Sequence, residues 1–386
     1  MTSRPPTPDP ASEEEPVAAA HGAGEKPPPA KKKRRVGRIV FWLLFVSLLL
    51  SAAWGGWEWQ KFMQRPLAEA VTLEIDRGWP LARIAETLEQ KGVVSSAHWF
   101  ILLTRWTRLR ISREGVEQGP GIQAGEYAFP VGETPEQVLA RMISGNQVVH
   151  RLAIPEGATV AEIGVKMQIQ GWSQAKTLLM DAETPKRLGL EATSLEGWLF
   201  PSTYHYRRHD TALEVLGRMV KLSQQVVHEQ WQAREREGAG RAVRLSLPEV
   251  LVLASIIEKE TGQAQERPRI AAVFHNRLRK KMRLQSDPTV IYGLQRHLGG
   301  PGFDGNLTKQ HLRDPTPYNT YTQYGLPPTP ICNPGKASIQ AALHPEDVED
   351  LYFVARGDGF HVFSKTLKEH EANVDRYQRQ PAARKK

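Results

Sequence analysis

Cysteine is almost missing from this chain of 386 residues, with Cys332 the single example. That excludes an internal disulfide framework and any zinc site built on cysteines. Cys332 sits in a proline-rich stretch, Pro330 to Pro334, and reads as structural. A strong charge imbalance is also missing. The 51 Lys and Arg against 42 Asp and Glu leave a net charge of +9, part of it from one N-terminal cluster. Such a balance does not by itself point to nucleic acid. There is no Gly-x-Ser-x-Gly elbow, no Walker loop and no His-Glu-x-x-His helix. His344, His361 and His370 match no familiar metal spacing and read as structural. No metal or cofactor is expected. Long apolar runs are lacking too, except for one.

That one run is Ile39 to Trp57, roughly 19 residues without a charge, which is long enough to span a bilayer. Trp42, Trp54, Trp57 and Trp59 near its ends suit the interfaces, and Lys31 to Arg35 with Arg38 precede it. The positive-inside rule then puts the N-terminus in the cytoplasm and everything after Glu58 outside. A cleaved signal peptide is the alternative, since Ser51-Ala52-Ala53 resembles a cleavage site; the long basic region and long apolar run favour a retained anchor. Met1 to Pro29, rich in Pro, Ala, Glu and Gly, cannot bury enough surface to fold. The expected layout is a disordered cytoplasmic tail (1–38), a transmembrane helix (39–59), a small α+β domain (70–172) and a mainly helical domain with a β-hairpin (173–380).

The part after the anchor begins with a repeat. Ile75, Gly78, Leu81, Ile84, Leu88 and Gly92 recur as Ile154, Gly157, Val160, Ile163, Met167 and Gly171, each displaced by 79 residues. Each copy reads as a strand, a glycine turn and an amphipathic helix closed by glycine. Tyr127, Phe129, Gly132, Val138, Leu139, Met142 and Gly145 form a weaker echo. Such units resemble LysM modules, which bind glycan; a purely structural neck is the competing reading. Helices are then expected over Gln174–Leu188, Thr211–Arg236, Arg267–Lys281, Ser338–Leu343 and Thr366–Tyr377. A hairpin is expected around Gly357 to Gly359. Leu284 to Cys332 reads as a long polar and aromatic loop, of the kind that lines a carbohydrate cleft.

The stretch from Ser246 to Gly262 carries the chemistry. Ser246 and Glu249 make a capping box, and Pro248 fits the first turn. Val250 to Ile257 is apolar on every face, so the helix should be buried. It ends in Glu258, Lys259 and Glu260, with Gly262 placed to close it. Glu260 follows Leu253 by seven residues and Ile257 by three, which puts it on a buried face. Desolvation and the negative end of the helix dipole both raise its pKa. A carboxyl still protonated near neutral pH can protonate a leaving oxygen. The bland alternative is a helix that ends in two solvated glutamates, one of them paired with Arg267 or Arg269. Glu260 with Glu196 or Asp287 could also serve as a glycosidase pair.

Several motifs occur in a specific order: Leu195 to Tyr204, Ala254 to Thr261, Val273 to Leu278, Met282 to Gly293, Tyr318 to Tyr321, Gly325 to Pro328 and Leu351 to Val354. Together they resemble the MltG (YceG-like) family of endolytic murein transglycosylases, over nearly the whole part after the anchor. The resemblance implies an enzyme of the bacterial inner membrane that cuts nascent peptidoglycan strands between N-acetylmuramic acid and N-acetylglucosamine, leaving a 1,6-anhydro end. It implies Glu260 as acid and then base, and association with peptidoglycan synthases such as penicillin-binding proteins. Glu196, Asn276, Gln285, Asp287, Tyr318, Asn319 and Thr320 are the candidate glycan contacts, and Glu258 reads as structural. Ser202 departs from the family pattern, where an acid is expected. A glycoside hydrolase and a non-enzymatic glycan-binding scaffold remain the rivals.

Overall fold

Hydropathy sets the first element apart. In the computed structural model, which describes residues 33–113, 121–237, 242–297 and 306–379, helix α1 runs from Lys33 to Gln64. Its segment Gly37–Gln64 is long and apolar enough to cross a membrane, with mean hydropathy 2.0 and no buried side chain in its apolar window. The helix therefore continues beyond the apolar run at both ends. The expected disordered tail before Lys31, the break at Gly238 to Arg241 and the basic end after Arg379 lie outside the described residues. The chain up to Arg65 and the chain from Pro66 onward are separate units.

The second unit opens with β1 (Val71–Ile75), α2 (Leu81–Gln90), α3 (Ala97–Arg113), β2 (Gly125–Phe129) and α4 (Pro135–Ser144). β1 and β2 pair antiparallel, with Leu73 opposite Tyr127. Ile75, Leu88, Phe100, Leu103, Tyr127, Phe129 and Met142 are buried in this region. Next come β3 (His150–Ala153), α5 (Val160–Ile169), α6 (Ala175–Met180), α7 (Thr184–Arg187), β4 (Thr203–Tyr206) and α8 (Ala212–Glu237). All three repeats fold as strand, glycine turn, helix and closing glycine. Gly78, Gly132 and Gly157 have φ of 83°, 89° and 76°, a conformation glycine adopts without a Cβ penalty. β3 pairs with β4 rather than with the first sheet. Its helix α5 shares a core with Leu195, Leu199, Val215, Leu216 and Met219. The single helix expected over Gln174–Leu188 is two short ones, α6 and α7, because Asp181 leaves the helix in extended conformation.

The remaining elements are α9 (Leu247–Glu260), α10 (Arg267–Arg279), α11 (Asp287–His297), α12 (Lys336–Leu343), the hairpin β5 (Tyr352–Ala355) and β6 (His361–Ser364), and α13 (Leu367–Val374), which runs on into a wider turn to Arg379. α9 lies in a core with Ile270, Phe274, Leu284, Ile339 and Leu343. Ser246 closes its start, donating its N–H and hydroxyl to Glu249, each at 2.7 Å. α11 corrects the expectation of a long irregular loop: Asp287 and Pro288 open a helix whose Val290, Tyr292 and Leu294 are buried. Gly262 does not close α9. Thr261 does, in extended conformation, and its hydroxyl accepts the N–H of Gln263 at 2.9 Å.

One side chain ties these parts together. Asn333 is fully buried. Its Oδ1 accepts the N–H of Leu199 at 2.9 Å, and its Nδ2 donates to the carbonyl of Ala158 at 2.9 Å and to Glu196 at 3.2 Å. Nearby, Gly197 at φ 83° faces Pro330 so closely that an added Cβ would lie 2.4 Å from the ring. Cys332 is buried beside α9, its Sγ 3.3 Å from the carbonyl of Ser255, and burial pushes its thiol pKa up, in keeping with a structural, unreactive side chain.

Candidate active site

The last turn of α9 presents two carboxylates to different surroundings. Glu258 faces Arg267 at 3.1 Å and accepts the N–H of Gly335 at 2.9 Å. The ion pair fastens α9 to the start of α10, and the Gly335 hydrogen bond fastens it to the start of α12. Glu260, two residues on, is partly buried and receives the hydroxyl of Ser286 at Oε1. Burial raises the Glu260 pKa to about 7. The Ser286 hydrogen bond opposes that rise, the nearby charge of Asp287 adds to it, and Arg277 opposes it. The expected pairing of one of these glutamates with an arginine forms at Glu258, which meets Arg267, while Arg269 faces Asp350 at 2.8 Å; both glutamates are partly buried rather than solvated.

The segments before and after α11 build the wall beside Glu260. Gln285 donates its N–H to the Thr320 carbonyl at 3.1 Å, and Ser286 donates its N–H to the Thr320 hydroxyl at 2.9 Å. Thr289 and Thr320 join their hydroxyls at 2.8 Å, and Thr289 also donates to the Ser286 carbonyl at 2.6 Å. Gln285 holds φ 50°, an uncommon conformation for a residue with a Cβ; its side chain is exposed. Asp287 is exposed at the start of α11 and accepts the Tyr321 hydroxyl at 2.6 Å. Arg283 lies over the exposed ring of Tyr324, 4.7 Å from its centre. Ser286 and Asp287 thus bear on Glu260, Tyr321 reaches Asp287, and exposed Gln285 directly precedes them, with Thr320 as the brace.

The other candidates are placed elsewhere or turned inward. Asn276 is buried and donates to the carbonyls of Val348 and Asp350 at 2.8 and 2.9 Å. Asn319 is buried, its Nδ2 directed to the carbonyls of His311, Leu312 and Asp314 and its Oδ1 to the N–H of Tyr321. Tyr318 packs edge-on to Tyr292 and joins hydroxyls with Thr329 at 2.8 Å. In this arrangement Asn276, Tyr318 and Asn319 shape the wall and offer little surface to a ligand. Ser286, Arg277 and Tyr321 also bear on Glu260, beyond the residues expected from the sequence. Ser286 had a signal, a hydroxyl between Gln285 and Asp287 just ahead of a proline-started helix. His361 meets Glu266 at 2.8 Å, and His370 stacks on Tyr352. The ligand-type cluster among the described residues is instead Glu74, Asp76 and His209, where Arg208 approaches Glu74 and the His209 ring meets the Ile75 carbonyl.

Glu196 is buried on a separate set of partners. It accepts the N–H of Val160 at 3.0 Å, the Asn333 amide at 3.2 Å and the Tyr292 hydroxyl at 3.1 Å. Burial lifts its pKa to about 8 against those donors. With Trp198, Pro248, Val252 and Pro330 it lines a cavity of about 920 Å³. Val252 lies eight residues before Glu260 on α9, about 12 Å along the axis.

The model of the YceG-like family matches residues 73–376. The chain belongs to that family. An endolytic murein transglycosylase of Bacillus subtilis (strain 168) is 31% identical over 326 residues, covering 80% of this chain and 84% of the relative. A protein of the same name from Streptococcus pneumoniae serotype 2 is 26% identical over 373 residues, and the match spans 64% of that longer relative. The crystal structure of a YceG-like protein from Listeria monocytogenes matches with a TM-score of 0.50 at 30% identity, covering 79% of this chain and 99% of that one.

The Glu196 site of this YceG-like chain yields a stability prediction. Its folded pKa is about 8 against an ordinary 4.5, so between those pH values the folded chain keeps a proton that the unfolded chain loses. Stability should therefore fall as pH rises through that window. Glu196→Gln should keep the fold and flatten the fall in thermal midpoint, whereas Glu196→Ala, which strands the Val160 N–H and the Asn333 amide, should cost roughly 3 kcal/mol at pH 7. Thermal unfolding followed by circular dichroism across pH checks both.

Proposed function

We propose that this chain is an endolytic lytic transglycosylase. It would cut the β-1,4 bond between N-acetylmuramic acid and N-acetylglucosamine in nascent peptidoglycan, leaving a 1,6-anhydro end and so terminating glycan strands during wall assembly. The observation that carries the reading is Glu260 itself: a carboxyl at the end of an apolar helix, its pKa lifted to about 7, at a surface with exposed Gln285 and Asp287. Naming of the Bacillus and Streptococcus relatives as endolytic murein transglycosylases supports the same assignment.

In the proposed mechanism Glu260 gives its proton to the glycosidic oxygen as the bond to the muramic acid anomeric carbon breaks. The resulting carboxylate takes the proton of the muramic acid 6-hydroxyl, whose oxygen bonds to that same carbon. No water enters, and Glu260 ends protonated as it began, so one carboxyl suffices. Ser286 orients the carboxyl and steadies the ionised form through its hydrogen bond. Exposed Gln285 and Asp287 are the proposed sugar contacts, with Tyr321 alongside them; Thr320, Tyr318, Asn319 and Asn276 hold the wall. Glu196 reads as a buried tie. One observation favours a second reading: the charge of Asp287 reaches Glu260, and a second carboxylate is what a glycoside hydrolase needs.

The β1-α2-α3-β2 unit has a strand-helix-helix-strand order that supports the LysM-like reading of 70–172, ahead of a catalytic domain over 173–380. α1 would anchor the chain in the inner membrane with its basic start in the cytoplasm and the catalytic domain in the periplasm, where peptidoglycan synthases are the proposed partners.

Purified glycan strands treated with the enzyme should give 1,6-anhydro ends by mass spectrometry; reducing ends would support the hydrolase and defeat this reading. Glu260→Gln, with no proton to give, should lower turnover by about a thousandfold, while glycan binding persists; retained cleavage would remove Glu260 from its role. Because the acid must be protonated, kcat/KM should fall as pH rises through about 7. Ser286→Ala loses the bond that lowers this pKa, so the falling limb should move up by about one pH unit. A reporter active only in the periplasm, fused after Lys386, should be active; silence there would reverse the orientation.

A further inference from the structure

Helix α3 has two apolar faces, and among the described residues only one is buried. Phe100, Leu103 and Thr104 point inward and are buried. On the opposite side Leu102, Trp106 and Leu109 are 36%, 54% and 62% exposed. With spacings of four and three residues, they form a continuous stripe. Arg105, Arg108 and Arg110 are exposed around it, and the Arg110 guanidinium lies 5.8 Å from the centre of the Trp106 ring. The helix contains no Asp or Glu from Ala97 to Arg113.

We infer that this face of α3 docks on the anionic phospholipid surface of the membrane that α1 spans. Three features select that occupant. An apolar stripe with a central tryptophan, rimmed by long basic side chains, is the pattern of a helix lying in a bilayer interface, where the arginines reach phosphate groups and the apolar residues enter the acyl boundary. A helix with basic residues and no acid is complementary to a negatively charged surface. The tether is also short. Six residues, 65–70, separate the end of α1 from β1, a reach of at most about 22 Å. A glycan strand fits this face poorly, because Leu102 and Leu109 offer no hydrogen bond to a sugar hydroxyl, and the amides and carboxylates that usually read one are missing. The inference is independent of the catalytic role of Glu260.

The test uses the full chain in lipid nanodiscs. An environment-sensitive fluorophore is placed at Leu109→Cys, or for comparison at Ile169→Cys, a position that is 77% exposed on α5; Cys332 is buried and stays unlabelled in the folded chain. The discs carry lipids bearing a nitroxide at shallow depth, in either phosphatidylglycerol or phosphatidylcholine. In phosphatidylglycerol, quenching at 109 should exceed that at 169 by roughly threefold. Adding the triple reversal Arg105→Glu, Arg108→Glu, Arg110→Glu, with folding checked by circular dichroism, should remove that excess. Equal quenching at both positions overturns the inference, as does an excess that survives the reversal. An excess seen only in discs holding two copies would overturn it as well, and would assign the face to a second copy of this chain.

Discussion

The hydroxyl of Ser286 meets the Glu260 carboxyl at the point where an apolar helix runs out of core. Burial of α9 would, by itself, keep Glu260 protonated and free to swing. A single donated hydrogen bond fixes one oxygen and moderates the pKa, so that the group sits close to neutrality and can give a proton and take it back. The bond depends on Thr320, whose hydroxyl and carbonyl hold the backbone at Ser286 and Gln285, and Thr320 in turn is joined to Thr289 in the first turn of α11. The unusual φ of Gln285 belongs to this arrangement, which packs a loop, a helix start and a distant threonine around one carboxyl.

Glu196, which is buried, and Glu260, which is partly buried, both have raised pKa values, yet their surroundings differ. Three polar partners from three segments close around Glu196, and its carboxyl joins the start of α5 to α11 and to Asn333. Glu260 has one such partner and stands beside exposed polar residues. Perturbed pKa values alone would rank Glu196 higher. Their hydrogen bonds differ: Glu196 has three donors around it, whereas Glu260 has one and keeps acceptor capacity, as its proposed role requires.

The strand-glycine-helix units were legible because their signals are local. Apolar spacing of 3.6 residues and a glycine at the turn need no knowledge of distant partners. The same holds for the inward placement of Glu260, which follows from its spacing to Leu253 and Ile257. α11 was missed because Asp287-Pro288-Thr289 reads as a polar loop, although a proline in the first turn and apolar Val290 and Leu294 also start a helix well. The amides of Asn276 and Asn319 and the ring of Tyr318 were read by their chemistry as sugar contacts. Whether such groups face a cleft depends on which backbone carbonyls the fold brings to them. For Asn276 those belong to Val348 and Asp350, more than 70 residues away, beyond the reach of any local pattern.

Asn333 has a bearing on the order in which the chain can assemble. It clasps Ala158, Glu196 and Leu199 from 175, 137 and 134 residues downstream. A ribosome delivers the N-terminal side first, so the repeat units and α8 are complete long before their clasp exists. Until Asn333 emerges, the Leu199 N–H lacks this acceptor and is left to water. Closure of so long a loop comes late, so these ties join the parts only after the segment around Asn333 has been delivered.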